Sequence, residues 1–174
     1  YRWVEGDLTM LHEVRFKIRN GTVQAGVLRS FESLVREYGG RPAELLRSVG
    51  LSQEYLRQCL AEGRIAYDQF VALLNVTAAS LGLPDFGMKL AERHARSGFV
   101  GPLHIAMRNS ATLGAAFQYC SDNVHAYSEC TAFTLIDNAA SHRWILRVDI
   151  WSSRQMDRRQ VIEHALLTNH LLVL

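Results

Sequence analysis

The chain has 174 residues, 48% apolar and 21% charged, with a formal net charge of +2. That composition describes a globular chain able to bury a core without metals or disulfides, and the near-balanced charge excludes a strong electrostatic footprint for nucleic acid or an anionic membrane. Three cysteines, Cys59, Cys120 and Cys130, lack CxxC spacing, which argues against a disulfide framework and for a reducing cytoplasm.

Residues 1–20 show no clear period and are expected to form an N-terminal arm; Val14, Phe16 and Ile18 alternate with basic residues as in a short strand. Asn20-Gly21 signals a turn. Thr22 is a helix-cap residue, and Val23, Val27, Leu28, Phe31, Leu34, Val35 and Tyr38 then recur at helical spacing up to Gly39-Gly40. Pro42 opens a short helix closed by Gly50, and Ser52 starts a third that ends near Gly63. A fourth spans about 67–82 and closes on Gly82. Pro84-Asp85 opens a helix broken by Ser97-Gly98, Pro102 a brief one through Arg108, and Ser110 caps a longer one reaching Tyr127.

The apolar period then changes from helical to two. Glu129–Ile136 and Arg143–Ile150 flank a polar turn at 137–141, which describes a half-buried hairpin with Trp144, Leu146, Val148 and Ile150 on one face. A lone hairpin is marginal in water, so its apolar face must lie on helices or on further strands of a larger sheet. The last helix, Gln155–Leu174, ends without Gly, Pro or cap, as expected of a domain continuing into a longer protein. No apolar run is long enough to span a bilayer. The expected class is α+β, mainly helical, with a C-terminal hairpin followed by a helix.

Catalytic and metal signatures are missing from the sequence. Its seven histidines form no HxH, HExxH or Cys-His cluster, and there is no GxSxG, P-loop or GxGxxG after a strand. The expectation is a protein that is not an enzyme and needs neither metal nor cofactor. Residues 43–60 have the outline of a helix-turn-helix, with Gln53, Glu54, Arg57 and Gln58 on the second helix. Direct DNA binding through this segment is one reading. An ordinary αα-corner is favoured, because Glu37, Glu44, Glu54 and Glu62 offset the arginines that phosphate neutralisation needs. A haem- or metal-dependent sensor is a further alternative, since a lone His can ligate haem.

Four segments, in order, carry a resemblance: Val27–Phe31 leading into Leu34–Gly40; Pro42–Leu51; Asp85–Ala91; and Gly101–Leu103 through Met107–Ala116. Together they resemble the arabinose-binding-type N-terminal domain of AraC-type transcription regulators, in its helical rather than cupin form. The resemblance covers about residues 22–174. It implies an effector-binding and dimerisation domain over 21–174, with DNA bound only through a separate C-terminal helix-turn-helix domain. The implied partners are a small-molecule effector and a second copy of the chain, with no membrane, in the cytoplasm. His104 stands where the family often has a small residue such as glycine.

A cleft between the helices and the hairpin is the expected effector site, because such sites are concave and apolar with few polar groups. The candidate ligand contacts are Phe99, His104, Met107, Tyr119, His125, Tyr127, Trp144 and Arg147. Aromatics supply contact area, and Arg147 could pair bidentately with an effector carboxylate or phosphate. For dimerisation the candidates are Val161, Ile162, Ala165, Leu166 and Leu167, since the last helix is apolar over more than one stripe.

Overall fold

A computed structural model describes residues 21–60, 63–96, 101–138, 143–152 and 155–172. The expected arm at 1–20, the Ser97-Gly98 break, Phe99 and the centre of the hairpin turn therefore lie outside the described residues. The chain is α+β and mainly helical. In order it forms β1 (Thr22–Gln24), a 3-10 turn (Ala25–Leu28), α1 (Phe31–Glu37), α2 (Pro42–Ser48), α3 (Gln53–Cys59), β2 (Arg64–Ala66), α4 (Tyr67–Leu81) and α5 (Phe86–Arg96). Then follow α6 (Gly101–Arg108), α7 (Leu113–Asn123), a 3-10 turn (Val124–Ala126), β3 (Thr131–Asn138), β4 (Arg143–Ile150) and α8 (Arg159–Leu172).

The segment expected to be one helix from Val23 to Tyr38 is three elements. Its apolar positions are buried as the spacing requires, with Val23, Leu28, Phe31, Leu34 and Val35 in the core. Its first residues are extended because the backbone finds distant partners. Val23 pairs with Ile65 in an antiparallel ladder and bridges to Ser128. The Glu129 carboxylate accepts from both the N–H (2.9 Å) and the hydroxyl (2.8 Å) of Thr22. The Arg64 Nε–H donates to the same hydroxyl at 2.6 Å. Thr22 is thus a junction between the N-terminal lobe and the hairpin, and not a helix cap.

Other boundaries follow local chemistry. The Ser52 hydroxyl caps α3 by accepting from the Tyr55 N–H at 3.0 Å. α7 is capped by Thr112 instead of Ser110, whose hydroxyl turns back to the Ala106 carbonyl. α4 ends where Gly82 takes a left-handed φ of 62°, a conformation that costs most other residues about 1 kcal/mol or more. The chain then turns 113° into α5. The α2–α3 corner is core-forming: Leu45, Leu46, Leu51 and Leu56 are buried. On its outer side Arg57 pairs with Glu54.

β3 and β4 pair in register from Thr131↔Ile150 to Asn138↔Arg143, and among the described residues this sheet has two strands. Burial is graded along it. Ile150 and Phe133 are buried near the base, whereas Trp144 at the tip is 63% exposed. Trp144 therefore does not belong to the hairpin's packed face, contrary to the alternation, because α7 and α8 cover only the base of the sheet.

Among the described residues the apolar interior has two parts. The larger unites β1, the first five helices and the start of α8. The smaller holds Leu103, Met107, Ala116, Cys120, Val124 and Phe133. Between them runs α8, which lies along α5. That contact is close at one point. The Gly87 N–H donates to Gln160 Oε1 at 2.7 Å, and Gln160 Nε2 donates to the Pro84 carbonyl at 2.7 Å. A Cβ on Gly87 would overlap the Gln160 main-chain oxygen and stand 2.9 Å from its carbonyl carbon. Glycine is needed here because two backbones touch.

Candidate functional site

Where the two cores meet, the packing leaves a cavity of about 110 Å³. One wall is the inner face of α8, with Val161, His164, Ala165, Thr168 and Asn169. These positions recur at helical spacing, so a single face of one helix presents them. Tyr67 and Phe70 of α4 and His94 of α5 form a second wall. Leu103, Cys120, Val124, Tyr127 and the start of β3 close the side towards the hairpin. The walls are mainly aliphatic and aromatic, as in a small-molecule site.

Most polar groups around the cavity are already engaged. The Ser128 and Thr131 hydroxyls lie 2.8 Å apart, and the Tyr127 hydroxyl accepts from the Leu103 N–H at 3.3 Å. The Cys120 thiol contacts Asn169 Oδ1 at 3.6 Å, while Asn169 Nδ2 donates to the Ala165 carbonyl at 2.8 Å. On α8, two buried atoms differ. His164 Nε2 and Thr168 Oγ1 have no hydrogen-bond partner among the described residues. They stand one turn apart on α8.

The electrostatics are those of an apolar interior. Burial, reinforced by the neighbouring His94, holds the His164 imidazole down at about 3, so it is uncharged at neutral pH. His94 and His164 face each other with ring centroids 6.2 Å apart, and Phe70 packs edge-on against His164 at 5.7 Å. Burial pushes the Cys120 thiol up to about 12 and the Cys130 thiol up to about 11. Both stay protonated, which is the opposite of what a nucleophilic cysteine requires. No group of three or more His, Cys, Asp or Glu side chains among the described residues could hold a metal ion.

Of the eight residues singled out from the sequence, Tyr127 lines the cavity. Met107, 3% exposed, sits in the smaller core behind that wall. His104 is half-buried on α6, where burial and the nearby Arg108 lower its pKa. Tyr119, His125, Trp144 and Arg147 are exposed, and Arg147 Nε donates to Asp149 at 2.7 Å. The structure does not bring these six together with Tyr127 at the cavity. Phe99 is outside the described residues. The candidate dimer residues divide as well. Val161 and Ala165 face the cavity, Leu167 is half-buried, and Ile162 and Leu166 are 37% and 44% exposed on the outer side of α8.

Sequence reasoning missed His94, His164 and Thr168. A signal was available for the histidines, since each continues an apolar stripe: Phe86, Leu90 and His94 on α5, and Val161, His164 and Ala165 on α8. A titratable residue within a buried stripe is a polar group inside the core.

Residues 39–174 match the family model of the arabinose-binding domain of AraC transcription regulators, N-terminal. The HTH-type transcriptional regulator VirS of Mycobacterium tuberculosis is similar, at 29% identity over 118 residues, in both strain H37Rv and strain CDC 1551 / Oshkosh. The aligned part is 68% of this chain and 34% of VirS, so the chain spans about a third of the relative it matches. The helical α+β architecture, the match over most of its length and this similarity agree: the chain belongs to the N-terminal arabinose-binding domain family of AraC transcription regulators.

Proposed function

We propose that the chain is the effector-sensing part of an AraC-type regulator, and that the cavity between its two cores is the sensor site. One observation carries this reading: an apolar cavity that also holds two buried polar atoms without partners, His164 Nε2 and Thr168 Oγ1. Buried polar groups are ordinarily satisfied, so an orphaned pair in a cavity wall calls for an occupant. The walls come from several elements, so a ligand that fits one arrangement of α8 better than another shifts the population towards it. DNA is contacted by a separate helix-turn-helix domain, as the name of VirS suggests for that protein. The α2–α3 corner fits direct DNA binding poorly, because two of its three arginines, Arg41 and Arg57, are paired with Glu44 and Glu54. A haem sensor fits poorly as well, since about 110 Å³ does not admit a macrocycle.

The experiment is a thermal-shift screen of the protein against metabolites, repeated on Ala165→Phe, which fills the cavity. A ligand that binds only the native state raises the melting point. The expected result is a hit whose effect disappears in Ala165→Phe. A hit indifferent to that change would remove the cavity as the sensor site. For self-association, Ile162 and Leu166 form the outer apolar stripe of α8. Leu166→Glu is expected to turn a dimer into a monomer in sedimentation, and an unchanged dimer would move the interface elsewhere. Operation in the cytoplasm is part of the same proposal and accords with three free thiols.

A further inference from the structure

We infer that the effector is a small, largely apolar molecule of single-ring or short-chain size, carrying one hydroxyl or carboxyl head group that docks between His164 and Thr168, and that it is not a sugar. This rests on the sensor reading above and narrows it to a ligand class.

Size comes first. A cavity of about 110 Å³ is of the order of the apolar cavity of ~150 Å³ that accepts benzene. It therefore takes about one ring or a chain of similar volume. Charge comes second. No Lys, Arg, Asp or Glu is among the described residues lining the cavity. A phosphate, a diacid or an ammonium group would enter without a counter-charge, which is strongly unfavourable in an apolar interior.

Hydrogen-bonding capacity then separates a sugar from an apolar ligand. A pentose brings several hydroxyls, each of which loses water on entry and needs a new partner. On α8 the cavity offers two unpartnered atoms, both at one place, with the His94 ring opposite. Tyr127, Ser128 and Asn169 are already committed to neighbours in the protein. Val23, Val27, Phe70, Leu103, Phe133 and Val161 supply the rest of the lining with apolar surface. One head group is matched, and several are not.

The kind of head group follows from the two atoms. A hydroxyl both donates and accepts, and an uncharged imidazole has one nitrogen of each kind. A partner that donates and accepts at a single point satisfies them together. A phenol or alcohol does so with its hydroxyl. A carboxylic acid does so as the neutral acid, with its O–H given to one partner and its carbonyl accepting from the other.

The test uses isothermal titration and thermal shift of the 174-residue chain with four probes: p-cresol, hexanoic acid, toluene and L-arabinose. Binding is expected for p-cresol or hexanoic acid, and which of them binds more tightly tells ring from chain. Toluene should bind at least about threefold more weakly than p-cresol, and L-arabinose should give no heat and no shift. Thr168→Val should weaken the favoured probe by about threefold to tenfold, the span of one net hydrogen bond, and leave toluene unchanged. Thr168→Ser should restore the affinity, which separates a lost contact from a damaged fold. Equal binding of toluene and p-cresol would overturn the head-group contact. Binding of L-arabinose that is lost in Ala165→Phe would overturn the ligand class and leave the sensor site standing. No response to any probe would overturn the class too, whereas the sensor site falls only to a ligand indifferent to Ala165→Phe.

Discussion

Lowering the pH from 7 to 5 should destabilise the fold through one side chain, His164. Its ring is 6% exposed, its Nε2 has no partner among the described residues, and burial, followed by the nearby His94, keeps its pKa at about 3. In the unfolded chain a histidine titrates near ~6.5. Between those values the unfolded state binds a proton that the folded state refuses, so stability falls as the pH falls. The slope is about 1.4 kcal/mol per pH unit, giving a loss of about 2 kcal/mol at pH 5 that continues to grow towards pH 3. Above about pH 6.5 the stability is fully present. The rings facing His164 are His94 on α5 and Phe70 on α4, and its neighbour Glu163 is engaged with Arg159. No carboxylate is among the described cavity lining that would hold the protonated ring in place. The assay is urea unfolding followed by circular dichroism at pH 7.5, 6.5, 5.5 and 5.0, on the wild type and on His164→Phe. The other six histidines are common to both proteins, so the difference between the two slopes belongs to His164. Equal slopes would refute the reasoning, for they would mean that the ring takes its proton inside the fold.

Three further outcomes follow from the packing. Gly87→Ala sets a methyl against the Gln160 backbone; the better helix propensity of alanine, ~1 kcal/mol, is outweighed by separation of α5 from α8, and calorimetry should show a net loss of about 1–3 kcal/mol. Thr77 is fully buried on α4 and its hydroxyl has no partner among the described residues, so Thr77→Val should be neutral or stabilise by about 1 kcal/mol in urea melts. In the native protein, a thiol reagent at pH 8 should label Cys59, which is half-buried, at least tenfold faster than Cys120, which is 1% exposed and pushed up to about 12; equal rates would show that the smaller core opens freely.

Local chemistry made much of the fold legible. Helical periods, Pro42 at a first turn, Ser52 as a cap and Gly82 as a stop located α2, the start of α3 and α4 within a residue or two, whereas α3 ends at Cys59, short of the expected Gly63. The alternation of Arg143–Ile150 located β4. What escaped were elements defined by partners far away in the chain. β1 and β2 are three residues each and exist because Thr22 meets Arg64 and Glu129, 42 and 107 positions away. No local pattern encodes that meeting. The site was half legible for a similar reason. The sequence pointed to a cleft between helices and hairpin, and a cavity lies there, with Tyr127 in its wall. It pointed to conspicuous aromatics and an arginine, however, and those at the exposed end of the hairpin cannot reach a cavity covered by its base. The wall instead uses side chains of α4, α5 and α8 that read as ordinary core.

The grip of Gln160 on Gly87 and Pro84 anchors the first turn of α8. Arg158 adds to the anchor by donating to the Ile150 carbonyl at 2.8 Å, and the Asp157 carbonyl accepts from Asn75 at 2.7 Å. At ~1.5 Å per residue, His164 lies about 6 Å along the helix from Gln160 and Leu172 about 18 Å. A rigid pivot at Gln160 would turn a displacement of about 1 Å at His164 into about 3 Å at Leu172.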